Sequence, residues 1–171
     1  MPYKMTLIAG RSEELRHYLF CKALDSMLRE DTIIISIGYW KKFDSVSYED
    51  GIKRLIADYR YLDTPKSTLF VIDDIVSLID TPEGYLVPLL LQLYKKKGVR
   101  FISGTSRVSS EYITPHILSL CSIIISAKLN SEMQSKLLFG TKGAESLPSN
   151  NYMMKRNGKV TKGTLPDIRK P

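Results

Sequence analysis

Two adjacent carboxylates, Asp73 and Asp74, directly follow the apolar run at residues 69–72. Such a run predicts a buried strand, and ligands of open parallel sheets bind at the carboxyl ends of the strands. The pair has the form of a Walker B motif, in which Asp73 would hold Mg²⁺ and Asp74 would polarise an attacking water. Two acids can also simply end a strand and cap the next segment, so the pattern alone leaves both interpretations open.

A glycine-rich phosphate-binding loop should accompany such a pair, between the first strand and the first helix. The position for this loop exists, because the apolar residues 7–9 lead through Gly10 into a predicted helix. The loop motif G-x-x-x-x-G-K-[ST] is absent, since residues 10–17 read GRSEELRH. The sequence therefore keeps the place of the loop without its phosphate-binding residues.

The charges around this turn also argue against a bound triphosphate. Glu13 and Glu14 would lie where the phosphates belong, and like charges at such distances repel by several kcal/mol in a poorly solvated site. Arg11 or Arg16 could replace the lysine as a cation, but neither restores a backbone cradle. We therefore expect the chain alone not to hydrolyse ATP in the ordinary way.

Apolar runs alternate with helical periodicity along the chain and predict a three-layer α/β domain with a mostly parallel central sheet. About five parallel strands are expected, followed by a hairpin around Asn157-Gly158. One domain should cover residues 1–163, and residues 164–171 should form a flexible basic tail. The predicted strands are residues 3–9, 32–37, 68–72, 99–103 and 122–126. The predicted helices start at Ser12, Ser47, Thr81, Thr114 and Met133.

The composition indicates one soluble domain with a polyanionic partner. The 171 residues are 43% hydrophobic, which suffices for one core, and the net charge is +7. Cations that neutralise phosphates favour nucleic-acid binding, although a solvated face and a basic end explain the same charge. The candidate DNA contacts are Lys41, Lys42, Lys95, Lys96 and Lys97.

The sequence contains no signal for membrane insertion, secretion or a metal cluster. It has no run of about 18 apolar residues, and its first residues lack a secretory pattern. We therefore expect a cytoplasmic chain without a membrane span. The two cysteines and two histidines do not have metal-ligand spacing.

In the second half of the chain, residues 99–107 read VRFISGTSR and residues 109–118 read SSEYITPHIL. These segments resemble the strand that ends in A-T-Q-R and the segment S-x-D-V-I-T-G-x-I-K in the RecA-like motor domain of the FtsK/SpoIIIE family, within the FtsK–HerA superfamily. Residues 122–148 resemble the stretch that leads through S-x-x-D-S-R to G-G-A-E-x-L. Residues 152–166 resemble the closing strands. The order of these segments carries the resemblance over more than half of the chain.

The resemblance implies a RecA-like P-loop NTPase fold, with Gly10, Arg11, Ser12 and Arg16 in the nucleotide-binding turn. It also implies nucleotide contacts from Thr105, Ser106 and Arg107, and a basic residue acting on a neighbouring subunit at Lys136. Among the positions that would contact the nucleotide, only Asp73, Asp74 and Thr105 keep the residues of the family pattern. Ser106 replaces the glutamine that senses the γ-phosphate, and Lys136 replaces an arginine, which loses the bidentate fork suited to phosphate.

Three functions are compatible with these observations. The favoured one is a degenerate FtsK/SpoIIIE-like ATPase domain of a mobile element or virus, which binds DNA or a protein partner without efficient hydrolysis and without a cofactor. The second is an active subunit that translocates or packages DNA in a ring of identical copies, using ATP and Mg²⁺. The third is a basic α/β nucleic-acid-binding regulatory protein.

Overall fold

The computed structural model describes residues 5–38, 43–61 and 67–166. The strands are β1 (Met5–Ala9), β2 (Ile33–Ile37), β3 (Ser45–Val46), β4 (Thr68–Ile72), β5 (Arg100–Thr105), β6 (Ile123–Ser126), β7 (Asn151–Arg156) and β8 (Lys159–Thr164). The helices are α1 (Glu13–Met27), α2 (Tyr48–Tyr61), α3 (Ile75–Ile79), α4 (Val87–Lys97), α5 (Pro115–Leu120) and α6 (Glu132–Phe139), and a 3₁₀ turn spans Gly84–Leu86.

One sheet contains all eight strands in the order β3-β2-β4-β5-β1-β6-β7-β8. The first six in this order run parallel to one another, β7 runs antiparallel to β6, and β8 runs antiparallel to β7. This confirms the predicted mostly parallel α/β fold. The short strand β3 was not among the predicted strands; at β3, the hydroxyls of Ser36 and Ser45 lie 2.8 Å apart between neighbouring strands.

The core lies on both faces of the sheet, because central parallel strands are covered by helices on each side. Helix α1 covers one face, where Phe20 packs with Val71 and Ile102. The remaining helices cover the other face, where the rings of Phe70 and Phe101 stack with centroids 5.0 Å apart. The molecule therefore has three layers, as the sequence predicts.

Side-chain caps fix where several helices begin. The hydroxyl of Ser12 accepts from the N–H of Leu15 at the start of α1, and that of Thr114 accepts from Ile117 at the start of α5. Both caps confirm predicted helix starts. A capping hydroxyl satisfies one of the N–H groups that the first turn of a helix leaves without an intrahelical partner.

The prediction that a helix begins at Thr81 was wrong. The Thr81 hydroxyl donates to the carbonyl of Leu78 at 2.8 Å and so belongs to the end of α3, a helix that the sequence analysis missed. The next helix, α4, begins only at Val87, after the 3₁₀ turn. The threonine was already used in ending one helix and was not available to start another.

The β7–β8 hairpin turns through Asn157 and Gly158, whose φ angles are +51° and +76°. Two successive residues with positive φ are typical of the type I′ turn, which matches the twist of paired strands. The predicted hairpin is confirmed. The predicted tail overlaps β8 at Thr164, and residues 167–171 lie outside the described part of the chain. Among the described residues, no helix combines the length and the apolar character that crossing a membrane requires.

Candidate functional site

The carboxyl edge of the sheet carries the residues that the sequence analysis selected. Gly10 follows β1 and Asp73 follows β4, while Thr105 ends β5, between them in the sheet. A cavity of about 90 Å³ opens at this edge, lined by Glu13, Arg16, His17, Phe20, Asp73 and Gly104. The fold thus brings the predicted turn and the predicted carboxylate together.

The turn after β1 contains only three residues, 10–12, before α1 begins. The N–H of Arg11 donates to the carbonyl of Lys128 at 3.1 Å, which ties the turn to the chain that follows β6. Gly10 has a φ of +150°, and a Cβ there would lie 2.9 Å from the Cβ of Ala127. The turn is therefore packed tightly against its neighbour.

The guanidinium of Arg16 folds back onto this turn. Its Nη1 donates to the carbonyl of Gly10 at 2.9 Å. The Ser12 hydroxyl is used as the cap of α1, and Glu13 occupies the first helical position. Four predicted nucleotide-binding residues, Gly10, Arg11, Ser12 and Arg16, thus lie together, and each makes a hydrogen bond within the chain.

The carboxylate of Asp73 lies beside the phenol of Tyr48, whose hydroxyl donates to Oδ2 at 3.5 Å. Burial, followed by the negative charges of Asp73 and Asp74, raises the pKa of Tyr48, so the phenol stays protonated. Gly38 makes room for the pair, because a Cβ at this position would lie 2.8 Å from the Cβ of Asp73 and 2.9 Å from the Tyr48 oxygen. The sequence analysis did not select Tyr48 and missed this contact.

Asp74 is the N-cap of α3. Its Oδ1 accepts from the N–H of Val76 at 3.1 Å, and its Oδ2 accepts from the Ser77 hydroxyl at 2.9 Å. Nη2 of Arg107 lies 3.6 Å from the same Oδ2. The structure thus gives this carboxylate the capping role that the sequence analysis had held open.

Arg107 joins the loop after β5 to the α3 segment. Its Nη1 donates to Oδ2 of Asp80 at 2.8 Å and its Nη2 to the Ser77 hydroxyl at 3.2 Å. The bond to Asp80 raises the pKa of Arg107, which keeps the ion pair charged. The buried Thr105 hydroxyl accepts from the N–H of Arg107 at 3.1 Å, while Ser106 is exposed.

Solved structures with the same architecture include proteins in complex with ATP analogues. The conjugation coupling protein TcpA of pCW3, in monomer form with ATPγS, superposes with a TM-score of 0.75 at 14% identity, over 94% of this chain and 59% of its own. The genome packaging NTPase B204 of Sulfolobus turreted icosahedral virus 2, with AMPPCP, has a TM-score of 0.72 at 15% identity, over 97% of this chain and 99% of its own. The chain therefore has the mostly parallel α/β fold of RecA-like P-loop ATPases.

The same fold also occurs as part of larger proteins. The cytoplasmic domain of the type VII secretion ATPase EccC from Thermomonospora curvata superposes with a TM-score of 0.69 at 13% identity, over 98% of this chain and 26% of that one. This chain thus spans about a quarter of the EccC chain and under two thirds of TcpA, but nearly all of the packaging NTPase. No family model and no curated protein sequence matches it.

The predicted lysines lie at other places in the fold. Lys136 is exposed on α6 and forms an ion pair with Glu132, one turn earlier. The cluster at residues 95–97 ends α4, at the opposite edge of the sheet from Asp73. There, Lys95 donates to the carbonyl of Leu120, and the Lys97 ammonium lies 4.6 Å from the centroid of the Tyr59 ring. Lys41 and Lys42 lie outside the described residues.

Metal binding was assigned to Asp73 alone by the sequence analysis. Within the described ranges, no group of three or more histidine, cysteine, aspartate or glutamate side chains is arranged to hold a metal ion. A Mg²⁺ ion on a nucleotide needs fewer protein ligands than that, because it keeps several waters and binds phosphate oxygens.

Proposed function

We propose that this chain is a degenerate FtsK/SpoIIIE-like ATPase domain that binds DNA or a protein partner without efficient ATP hydrolysis. The short turn after β1 carries this proposal. The N–H of Arg11 bonds to Lys128, and the carbonyl of Gly10 accepts from Arg16. A phosphate-binding loop instead directs successive N–H groups at the ligand.

The residues at this edge do not fit a triphosphate with its metal ion. Residues 10–17 contain no lysine, and Glu13 begins the helix whose N-terminus would face the phosphates. Of the carboxylate pair, Asp74 uses both oxygens within the chain, and Asp73 accepts from Tyr48. Binding Mg-ATP here would require several of these hydrogen bonds to break and would bring like charges together.

The nature of the partner is supported by charge and by the proteins that share the fold. The net charge of +7 favours a polyanion. The similar structures include a conjugation coupling protein and a viral genome packaging NTPase, which supports an origin in a mobile element or virus. We further propose that the chain acts in the cytoplasm. In this proposal one domain covers residues 1–163, and residues 164–171 form a basic tail.

Nucleotide binding tests the proposal directly. A ligand at about 100 times its Kd stabilises a folded protein by about 2.7 kcal/mol, which raises Tm by several degrees for a domain of this size. We expect no change in Tm with millimolar Mg-ATP or Mg-ADP. A Tm increase that is lost in Asp73→Asn would overturn the proposal, because it would place the nucleotide and its metal ion at this edge.

An active motor subunit is the second candidate. It is favoured by the packaging NTPase, whose full length this chain nearly matches and whose structures contain ATPγS or AMPPCP. In this candidate Asp73 would hold Mg²⁺, copies would assemble as a ring, and Lys136 would act on the neighbouring subunit. DNA-stimulated phosphate release that Asp73→Asn abolishes would support it, and the absence of turnover with DNA present would rule it out.

A further inference from the structure

The amino edge of the sheet contains a second cavity, of about 420 Å³, between the end of α1 and strands β6 and β7. From this cavity we infer a binding site for a small organic anion, a carboxylate or phosphate carried on an apolar body. Its lining residues are Thr6, Ala23, Ser26, Met27, Arg29, Arg100, Ile123, Ile125, Met154 and Arg156. The inference goes beyond the proposed function, because this site lies at the opposite edge from the carboxylates.

The charge of the lining selects an anion. Among the described residues, three arginines, Arg29, Arg100 and Arg156, line the cavity together with seven uncharged residues, and no described aspartate or glutamate lines it. The negative charge of Asp31 acts on Arg100 from outside the lining. A cavity lined by charge of one sign concentrates ligands of the opposite sign.

Arg100 is the lining residue whose charge an anion would stabilise most. It is only 5% exposed, and its guanidinium donates to the carbonyl of Met27, the hydroxyl of Thr32 and the carbonyl of Ser67. All three acceptors are neutral oxygens, so these bonds satisfy donors without balancing the charge. Burial, and then the nearby charge of Arg29, lowers the pKa of Arg100. An anion in the cavity would offset this desolvated charge.

The walls require an apolar body on the anion. Four apolar side chains line the cavity, those of Met27, Ile123, Ile125 and Met154, and methionine side chains adapt to irregular apolar ligands. A free hydrated ion would leave these apolar side chains in contact with water. None of the described lining residues is aromatic, so these residues offer no platform for stacking nucleic-acid bases. These features favour a small amphiphilic anion over a nucleic acid.

Methionine methyl NMR can locate such a ligand. The chain has six methionines, of which Met27 and Met154 line the cavity. Met133 is 80% exposed on α6, and Met153 is buried in the core of the opposite face. On titration with octanoate or octyl phosphate, we expect saturable shifts at Met27 and Met154, with a Kd below about 1 mM, and smaller shifts at Met133 and Met153.

Ligands of equal chain length but different charge, together with two arginine variants, complete the test. We expect octanol and octylammonium, of equal chain length, to bind at least tenfold more weakly, and inorganic phosphate alone to give no saturable shift. Arg29→Ala, at an exposed position, should weaken octanoate about fivefold, whereas Arg11→Ala, exposed at the other edge, should not. Tighter binding of octyl phosphate than of octanoate would identify a phosphate headgroup, and the reverse order would identify a carboxylate.

The outcomes that overturn the inference are equally specific. Octanol binding as tightly as octanoate would reduce the site to a non-selective apolar crevice. Equal shifts at Met133, or equal losses in Arg29→Ala and Arg11→Ala, would show diffuse binding of the amphiphile. None of these results bears on nucleotide binding at Asp73, so the inference and the proposed function fail independently.

Discussion

The Tyr48 hydroxyl donates to Oδ2 of Asp73 across 3.5 Å, which links the first residue of α2 to the residue that follows β4. The contact depends on Gly38 after β2, because a side chain at this position would overlap with both partners. Three separate segments thus define the surroundings of the carboxylate that the family pattern assigns to magnesium.

Replacing Tyr48 by phenylalanine tests the strength of this contact. We expect Tyr48→Phe to lower the free energy of unfolding by about 0.5–1.5 kcal/mol, the usual net value of one hydrogen bond. Urea denaturation followed by circular dichroism measures the change. Tyr85→Phe is the matched control, because Tyr85 is 75% exposed, and it should leave stability unchanged. Equal losses in the two variants would contradict the contact.

The raised pKa of Tyr48 predicts a specific loss of stability in alkali. The phenol keeps its proton in the folded state at pH values where an unfolded tyrosine, with a pKa near 10, has lost it. The folded state then binds more protons, so stability falls as pH rises above about 10 and is fully present below that pH. Unfolding free energies measured between about pH 9 and 11 should fall less steeply in Tyr48→Phe. If the unfolding free energies of the unaltered protein and of Tyr48→Phe fell equally steeply with pH, the raised pKa of Tyr48 would be contradicted.

Gly38→Ala should be among the most damaging single substitutions at the carboxyl edge. The φ of +107° is strained for any side chain, and the added Cβ overlaps with Asp73 and Tyr48. Strain and overpacking together predict a loss of about 2–5 kcal/mol in unfolding free energy. Gly158→Ala separates the two effects, since its φ is +76° but no atom lies within 4 Å of the added Cβ. That control should lose only about 1–2 kcal/mol, and a similar cost for both variants would disprove the crowding at Gly38.

The ion pair between Arg107 and Asp80 should contribute modestly and in a salt-dependent way. The Arg107 side chain is 44% exposed, so solvent screens the pair, and a double-mutant cycle with Arg107→Ala and Asp80→Asn should give about 0.5–1 kcal/mol of coupling. At 1 M NaCl the coupling should decrease, because the Debye length falls to about 3 Å. Coupling that is zero at low salt would mean that the loop after β5 is not held by this pair.

The two cysteines should differ in reactivity. Burial raises the pKa of the Cys121 thiol to about 12, so the reactive thiolate is much rarer at pH 8 than it is for an ordinary thiol. Iodoacetamide should therefore modify Cys21 on α1 first, as peptide mass spectrometry would show. Cys21→Ser should leave a folded protein that is alkylated very slowly. Equal rates at the two thiols would contradict the raised pKa of the half-buried Cys121.

Much of the fold follows from local sequence patterns. The run at residues 68–72 became β4 because five consecutive apolar or β-branched residues suit a strand that is buried on both faces. Ser12 and Thr114 started helices as predicted, since capping depends on residues only three apart. Helix α3 was missed because its five residues, IVSLI, have β-branched character and gain their helical form from the Asp74 cap and from burial.

The candidate site was less predictable, because its contacts join distant segments. The sequence placed Gly10 and Asp73 at one edge, and it raised capping as one possible role of Asp74. It did not indicate that Tyr48 would reach Asp73, 25 positions further along the chain. The hydrogen bond from Arg16 to the Gly10 carbonyl was likewise not predicted, since helical periodicity does not determine the rotamer of an arginine.

The place of β1 in the sheet also affects how the chain is made. β1 lies between β5 and β6, and Met5 pairs with Phe101, about 95 positions later. During synthesis on the ribosome, this apolar strand therefore has no strands to pair with until most of the chain has emerged. Such distant pairing slows folding and leaves the MTLIA segment open to aggregation or to a chaperone in the meantime.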